Sequence, residues 1–296
     1  MSPYPLARPI RSLLFAPANR PELIEKFPRY RADVFAIDFE DATPEAEKEA
    51  ARRDLPRVID RLRAGGVAGE IYVRTNESRS PHASADLAAA LATPIDGIIM
   101  PKLAAAVDLQ RFSQALSDAE ARTGRPLRLI GMIETAAGAL RADAIAGCGD
   151  THLSALAFGA EDFITELGGR RTAHGLEVLY ARSRVVLAAR AAGLDALDQV
   201  YVNIRDDEGF RRDAEMGREL GYGGKMCVVP KQTVIANEVF SPSAEEIERS
   251  RRLIEASGAA HSAGRGAIEF EGGMVDEPLI RRAQAIVRLA NDLGIG

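Results

Sequence analysis

Eight short apolar runs, each followed by a polar or charged residue and separated by stretches of helical periodicity, constrain this chain more than any other feature. In order they are SLLFA at residues 12–16, VFAIDFED at 34–41, EIYVRTN at 70–76, GIIMPK at 97–102, LRLIGMIE at 127–134, LSALAFG at 153–159, QVYVNI at 199–204 and GKMCVVP at 224–230. Runs such as VFAI and GIIM are apolar at every position, the pattern of parallel strands buried on both faces. Parallel neighbours need long crossover connections, usually helices, and helical patterns lie between these runs. Eight strands with seven helical connections predict a (β/α)8 TIM barrel, whose chemistry sits at the C-terminal ends of the strands. A doubly wound open sheet is the competing arrangement, but no glycine-rich fingerprint follows the first run.

The connections carry their own signals. Pro21 starts a helix after the first strand, with Asn19 and Arg20 in the exit loop. Thr43 reads as an N-cap, with Pro44 at the first helical position and Glu45 to Glu47 in the first turn. Leu55, Val58, Ile59 and Leu62 then form an apolar stripe, with a break or kink expected at Pro56 and an end at Gly65 and Gly66. Residues 83–92 predict an alanine-rich helix, and Leu109, Phe112, Leu116 and Ala119 share one face of the next. Leu176, Leu179, Val186 and Leu187 predict the apolar face of a later one.

Asn19, Arg20, Glu40, Asp41, Arg74, Lys102, Glu134, Asp162, Asn203 and Asp206 all follow their strands rather than precede them, which concentrates polar chemistry on one rim. Glu134 and Asp162 stand out because they follow neighbouring apolar runs. A strand built from Leu129, Ile130, Met132 and Ile133 should not end in a bare buried Glu, since an unpaired carboxylate there costs several kcal/mol or changes its pKa. A hard cation removes that penalty, and Mg²⁺ typically takes only one or two protein carboxylates. The other reading has Glu134 capping the following helix or pairing with an arginine.

At 296 residues and 46% hydrophobic content, the chain is long enough for one large core. Residues 1–240 are assigned to the barrel, and residues 241–296 to a C-terminal helical lid extension. That extension comprises a charged helix over 244–256, a flexible connector SGAAHSAGRG, and AIEFEGGMVDEP before a last helix; its glycines bracket Met274 and Asp276 as lid hinges would. A net charge of −5 without a basic block argues against a nucleic-acid surface. Cys148 and Cys227 fit neither a metal finger nor a disulfide framework and read as free thiols in a reducing cytoplasm. The proline-bearing leader MSPYPLARPIRS lacks a signal-peptide core, and no apolar run approaches the ~20 residues of a membrane helix.

The segments RSLLFAPANRPE, AIDFEDAT with Lys48 and Arg52 downstream, VRTN, IMPK, IETAAG, AFGAEDF, VYVNIRDDEGF, GYGGKMCVVPKQ and FEGGMVDEP occur in one order over nearly the whole sequence. In that order they closely resemble the HpcH/HpaI aldolase and citrate lyase superfamily, specifically its citrate-lyase-β-like CoA-ester lyases. The resemblance implies a barrel assembled as a homotrimer or hexamer, with the extension packing on a neighbouring subunit. It implies cleavage of a 3-hydroxyacyl-CoA into a 2-keto acid and an acyl-CoA, with Mg²⁺, or Mn²⁺ in its place, as cofactor. Glu134 and Asp162 would be the metal ligands, with Glu134 also at the substrate. Arg74 would grip the keto-acid end, Glu40 and Asp41 would order metal-bound water, and Asp276 would be the lid's acid/base, contributed by the neighbouring subunit. An acyl-carrier protein is a further partner class, and Val229 stands where relatives commonly have His. A class II pyruvate aldolase and a non-catalytic CoA-ester-binding subunit are the competing functions.

Overall fold

The structure, a computed structural model, describes residues 9–262 and 267–295. The chain divides into two compact units, Met1–Asn237 and Glu238–Gly296. In the first, eight parallel strands close into a barrel in sequence order, with β1 pairing β8. They are β1 (Ser12–Pro17), β2 (Val34–Asp38), β3 (Glu70–Arg74), β4 (Gly97–Met100), β5 (Arg128–Ile133), β6 (Leu153–Phe158), β7 (Asp195–Asp198) and β8 (Gly224–Cys227). The helices α1 (Pro21–Ile24), α2 (Lys48–Ala64), α3 (Ala83–Leu91) and α4 (Ala106–Thr123) follow β1 to β4 in turn. α5 (Ala136–Leu140) and α6 (Ala142–Ala146) follow β5, α7 (Ala160–Glu166) and α8 (Leu176–Ala191) follow β6, α9 (Asp207–Leu220) follows β7, and α10 (Pro230–Val239) follows β8.

Alternation along each strand explains both sides of the wall. Leu13, Val34, Ala36, Tyr72, Ile99, Ile130, Met132, Ala155, Ala157, Leu197 and Met226 pack into one buried cluster, so these positions point into the barrel. Their partners point outward against helices; α4 buries Leu109, Phe112, Leu116 and Ala119 as its spacing requires. Extending the inward parity by two residues delivers Asp38 after Val34 and Ala36, Arg74 after Tyr72, Glu134 after Ile130 and Met132, and Gly159 after Ala155 and Ala157. The barrel core therefore continues directly into the candidate site.

Four expectations need correction. The seventh strand is DALD, not QVYVNI: residues 199–204 form no strand, and Val202 and Ile204 are 62% and 52% exposed. The true strand was disguised because its outward Asp198 is fully buried against charged partners. For the same reason α8 buries a face containing Arg182, Val185, Val186 and Ala189, leaving Leu176 and Leu187 each 71% exposed. Thr43 caps no helix; its hydroxyl donates to the Asp38 carbonyl at 2.6 Å and accepts the Ala18 N–H at 3.0 Å, while a 3-10 turn, Glu45–Glu47, leads into α2. α2 itself runs from Lys48 to Ala64 without a break at Pro56.

The second unit pairs α11 (Ala244–Ser262) with α12 (Glu277–Asp292), with a hairpin between them in sequence, β9 (Ile268–Phe270) and β10 (Gly273–Val275). The charged helix thus extends through the first half of the expected connector, whose residues 263–266 lie outside the described residues, as do residues 1–8 of the leader. Glu271 and Gly272 hold φ of 51° and 81°, the paired positive values of a two-residue hairpin turn. Among the described residues no helix is long and apolar enough to cross a membrane.

Both cysteines are free. Cys148 is exposed, whereas burial pushes the Cys227 thiol up to about 12. A thiol reagent at pH 8 should therefore titrate one cysteine in the native protein and the second only after denaturation. Two equivalents taken up at the same rate without denaturant would contradict this burial.

Candidate active site

At the C-terminal mouth of β2 to β6, buried acids face two cations. Arg74 leaves β3 pointing inward over the Phe15 ring, 5.0 Å from its centroid. Its Nε and Nη2 donate to Asp38 Oδ1 and Oδ2 at 2.7 and 2.6 Å, a bidentate pair with a carboxylate that is 1% exposed. Its Nη1 stands 2.9 Å from Glu40 Oε2, an ion-pair contact without hydrogen-bond geometry, for that oxygen is buried with no hydrogen-bond partner. Burial works against the guanidinium charge, but Asp38, Glu40 and Glu134 hold its pKa above the ordinary arginine range.

Glu40 and Asp41 are not an equivalent pair. Glu40 turns into the site, buried, and Asp41 is exposed at its edge. The Glu40 segment is braced from behind by Lys48, whose ammonium donates to the carbonyls of Phe39 and Glu40 and to Asn76 Oδ1 at 2.7, 2.9 and 2.6 Å. Asn76 is held in turn by Asp86, which Arg52 pairs at 2.7 Å. Lys48 and Arg52 thus serve the site by fixing backbone rather than by reaching into it. Burial pushes the Glu40 carboxyl up to about 7, against the pull of Arg74 and Lys102.

Glu134 lies at the centre, 1% exposed. Its Oε1 accepts the main-chain N–H of Lys102 at 2.7 Å, and no described donor is directed at Oε2. It does not cap the following helix; Thr135 does, accepting the Gly138 N–H at 3.0 Å. Burial, reinforced by Glu40 and Asp162, pushes its carboxyl up to about 8. Asp162 belongs to the first turn of α7 rather than to the end of β6, and its Oδ1 is 3.9 Å from the Lys102 ammonium, which itself donates to Glu40 Oε1 at 2.7 Å. Lys102 was only a strand-exit residue in the sequence, yet it touches or faces all three acids.

Gly159 fits the same arrangement. A Cβ built there would lie 2.4 Å from Glu134 Oε2 and 2.6 Å from its Cβ. Gly159→Ala is therefore expected to displace the Glu134 carboxylate and to lower activity at least about tenfold, since roughly 1 Å of misplacement can cost a hundredfold. Full activity in a soluble Gly159→Ala protein would remove this packing from the site.

The remaining strand-exit residues have local duties. Asn19 donates to Glu47, Arg20 pairs with Glu22, Asn203 is exposed, and Asp206 caps α9 by accepting the Gly209 N–H at 2.8 Å. Asp276, in the second unit, is exposed at the N-cap of α12 and makes no capping hydrogen bond with its side chain.

The donor chemistry around Glu134 is all oxygen, which suits a hard divalent cation rather than a soft one. Burial pushes two of the carboxyls, Glu40 and Glu134, well above their ordinary pKa. Among the described residues no three His, Cys, Asp or Glu side chains converge as a metal cage. Glu40 is engaged by Lys102 and Arg74, leaving Glu134 and Asp162, and two carboxylates are within what Mg²⁺ typically takes.

A closed parallel barrel with an anionic, cation-flanked centre at the ends of its strands is the architecture of a barrel enzyme. The chain belongs to the HpcH/HpaI aldolase/citrate lyase family, whose family model matches residues 11–230, and it is a lyase. It is 42% identical to the citrate lyase subunit beta-like protein of Deinococcus radiodurans, over 94% of this chain and 96% of that protein. It is 33% identical to the human mitochondrial citramalyl-CoA lyase, over 96% of this chain and 86% of that protein. Among solved structures it is similar to CitE of Mycobacterium tuberculosis in complex with magnesium, acetoacetate and coenzyme A, with a TM-score of 0.78 and 31% identity over 97% of this chain and all of that one.

Proposed function

We propose that the protein cleaves a 3-hydroxyacyl-CoA, of the citryl-, malyl- or citramalyl-CoA kind, into a 2-keto acid and an acyl-CoA, or runs the reverse condensation. The observation that carries this reading is Glu134, a buried carboxylate held by one main-chain N–H with a second oxygen left without a donor, beside Asp162. Support for the substrate class comes from the relatives: one is a citramalyl-CoA lyase, and the CitE structure holds magnesium and coenzyme A.

Glu134 and Asp162 would hold Mg²⁺, with Mn²⁺ as a substitute. A bound divalent ion supplies Lewis-acid polarisation of the substrate's oxygens and lowers the pKa of a hydroxyl next to it. Arg74, already oriented by Asp38, retains N–H groups beyond those given to that carboxylate and presents them to the anionic end of the keto acid in planar geometry. In the cleavage step the hydroxyl proton passes to water at the site, its C–O bond becomes the keto group, and the bond to the α-carbon breaks, with one proton returned to that carbon at the end. The electron pair passes to the thioester as its enolate. Asp276, with no capping duty, protonates that α-carbon, and it would be contributed by a neighbouring subunit of a homotrimer or hexamer. Glu40 would order water within the site and Asp41 at its edge. An acyl-carrier thioester in place of CoA is compatible with the same chemistry.

Incubating the protein with Mg²⁺, acetyl- or propionyl-CoA and a panel of 2-keto acids should consume thioester-bound acyl groups in a keto-acid-dependent manner. Turnover of pyruvate with an aldehyde instead, without need for a thioester, would replace this reading with that of a pyruvate aldolase. Binding of the CoA ester without turnover would make the protein a binding subunit.

A further inference from the structure

Only two described residues other than glycine hold a positive φ, and one of them, Lys102 at 50°, stands in the site. The other, Glu271, belongs to a hairpin turn that calls for such values. A side chain in the left-handed region meets a steric penalty that glycine would not incur. Glycine would present the same main-chain N–H to Glu134, so that hydrogen bond does not account for a lysine. What the lysine adds is an ammonium group 2.7 Å from Glu40 Oε1 and 3.9 Å from Asp162 Oδ1. Arg74, the other cation facing these acids, is engaged by Asp38 through two hydrogen bonds.

We propose that Lys102 is a positioning residue and the built-in counter-cation of the acidic cluster: its N–H fixes Glu134, and its ammonium compensates Glu40 and Asp162 until a divalent ion takes Asp162 over. This rests on the metal reading above. The ammonium then competes with the ion for Asp162, so the affinity for the cation is lower than the carboxylates alone would set. Glu40 remains engaged by Lys102 and Arg74 after the ion arrives.

The test is Mn²⁺ binding to the full-length protein, read by electron paramagnetic resonance, together with metal-free melting temperature. It compares the parent protein with Lys102→Met, Lys102→Gly and the double variant Lys102→Met with Glu40→Gln. Removing one positive charge beside the ion should tighten Mn²⁺ binding about threefold or more in both single variants. The melting temperature of metal-free Lys102→Met should fall, and the added Glu40→Gln should recover part of that fall, because the uncompensated acid is then gone. A role in packing alone would weaken Mn²⁺ binding or leave it unchanged, and either result in a folded variant overturns the proposal. If the parent protein binds no Mn²⁺, the metal reading fails by itself. The melting temperatures then decide the counter-cation role: recovery by Glu40→Gln supports it, and purely additive losses overturn it.

Discussion

Glu134→Gln and Asp162→Asn should each lower turnover in the thioester assay by at least about 10²–10³, with added Mg²⁺ recovering little. That range is what removing one preorganised electrostatic stabiliser costs, roughly 2.7–4 kcal/mol. Each substitution replaces one carboxylate oxygen by an amide nitrogen at nearly the same size, so the fold should be retained. Glu134→Gln retains a carbonyl oxygen that can accept the Lys102 N–H, and Asp162 is 39% exposed at its side chain. What each variant removes is the capacity to become a carboxylate ligand. In the metal-free protein burial pushes the Glu134 carboxyl up to about 8, with Glu40 and Asp162 adding to the effect. Burial thus favours the neutral acid, which the amide resembles, so Glu134→Gln should melt no lower than the parent when no divalent ion is present. With Mg²⁺ present the parent should gain stability that the variant does not, by the mass-action rule that a ligand of the native state stabilises it. Near-normal turnover in either variant, or equal Mg²⁺ stabilisation of parent and variant, would take that residue out of the metal role.

The parts of this site that could be read from the sequence are those that follow from strand parity. Once Val34 and Ala36 point into the barrel, Asp38 must as well, and the same count brings Arg74 and Glu134 to the mouth. The same count also singles out Asp38, one of three acids with Glu40 and Asp41 in the segment VFAIDFED. It continues past the end of β2 to Glu40, which is buried while Asp41 is exposed, and Lys48 braces that segment through the carbonyls of Phe39 and Glu40. The left-handed backbone of Lys102 leaves no trace in composition, since such a position is ordinarily signalled by glycine or asparagine. Asp162 follows β6 as its place after the apolar run predicts, and it stands in the first turn of α7. Tertiary pairing overrode pattern most strongly at β7 and α8, where the residues that face the core are charged.

Those charged residues carry the second large expectation: Asp198→Ala should cost about 3–5 kcal/mol of stability, enough to remove a large part of the 5–15 kcal/mol typical of a domain. Leu197 points into the barrel, so Asp198 points outward beneath α8 and α9, where nothing of it is exposed. Its Oδ1 and Oδ2 accept Arg182 Nε and Nη2 at 2.8 and 2.6 Å, and Oδ2 also accepts Lys225 Nζ at 2.9 Å. Asp213 closes the group, with Oδ1 3.0 Å from Arg182 Nη1 and Oδ2 2.6 Å from Lys225 Nζ, so two buried cations share two carboxylates. Burial works against the Arg182 charge, and Asp198 and Asp213 hold its pKa above the ordinary range. Deleting Asp198 leaves two cations against one acid in a region closed to water, a penalty no rearrangement of exposed side chains relieves. The packing is close as well: a Cβ at Gly217 would stand 2.6 Å from Asp198 Oδ2. The exposed Arg53 to Glu49 pair on α2 provides the contrast, and Arg53→Ala should barely shift the unfolding midpoint. Equilibrium urea unfolding of both variants separates the two cases, with the rate of thermal inactivation as the readout if refolding fails. A loss below about 1 kcal/mol for Asp198→Ala would mean that the buried charges are not what fixes β7 in the barrel wall.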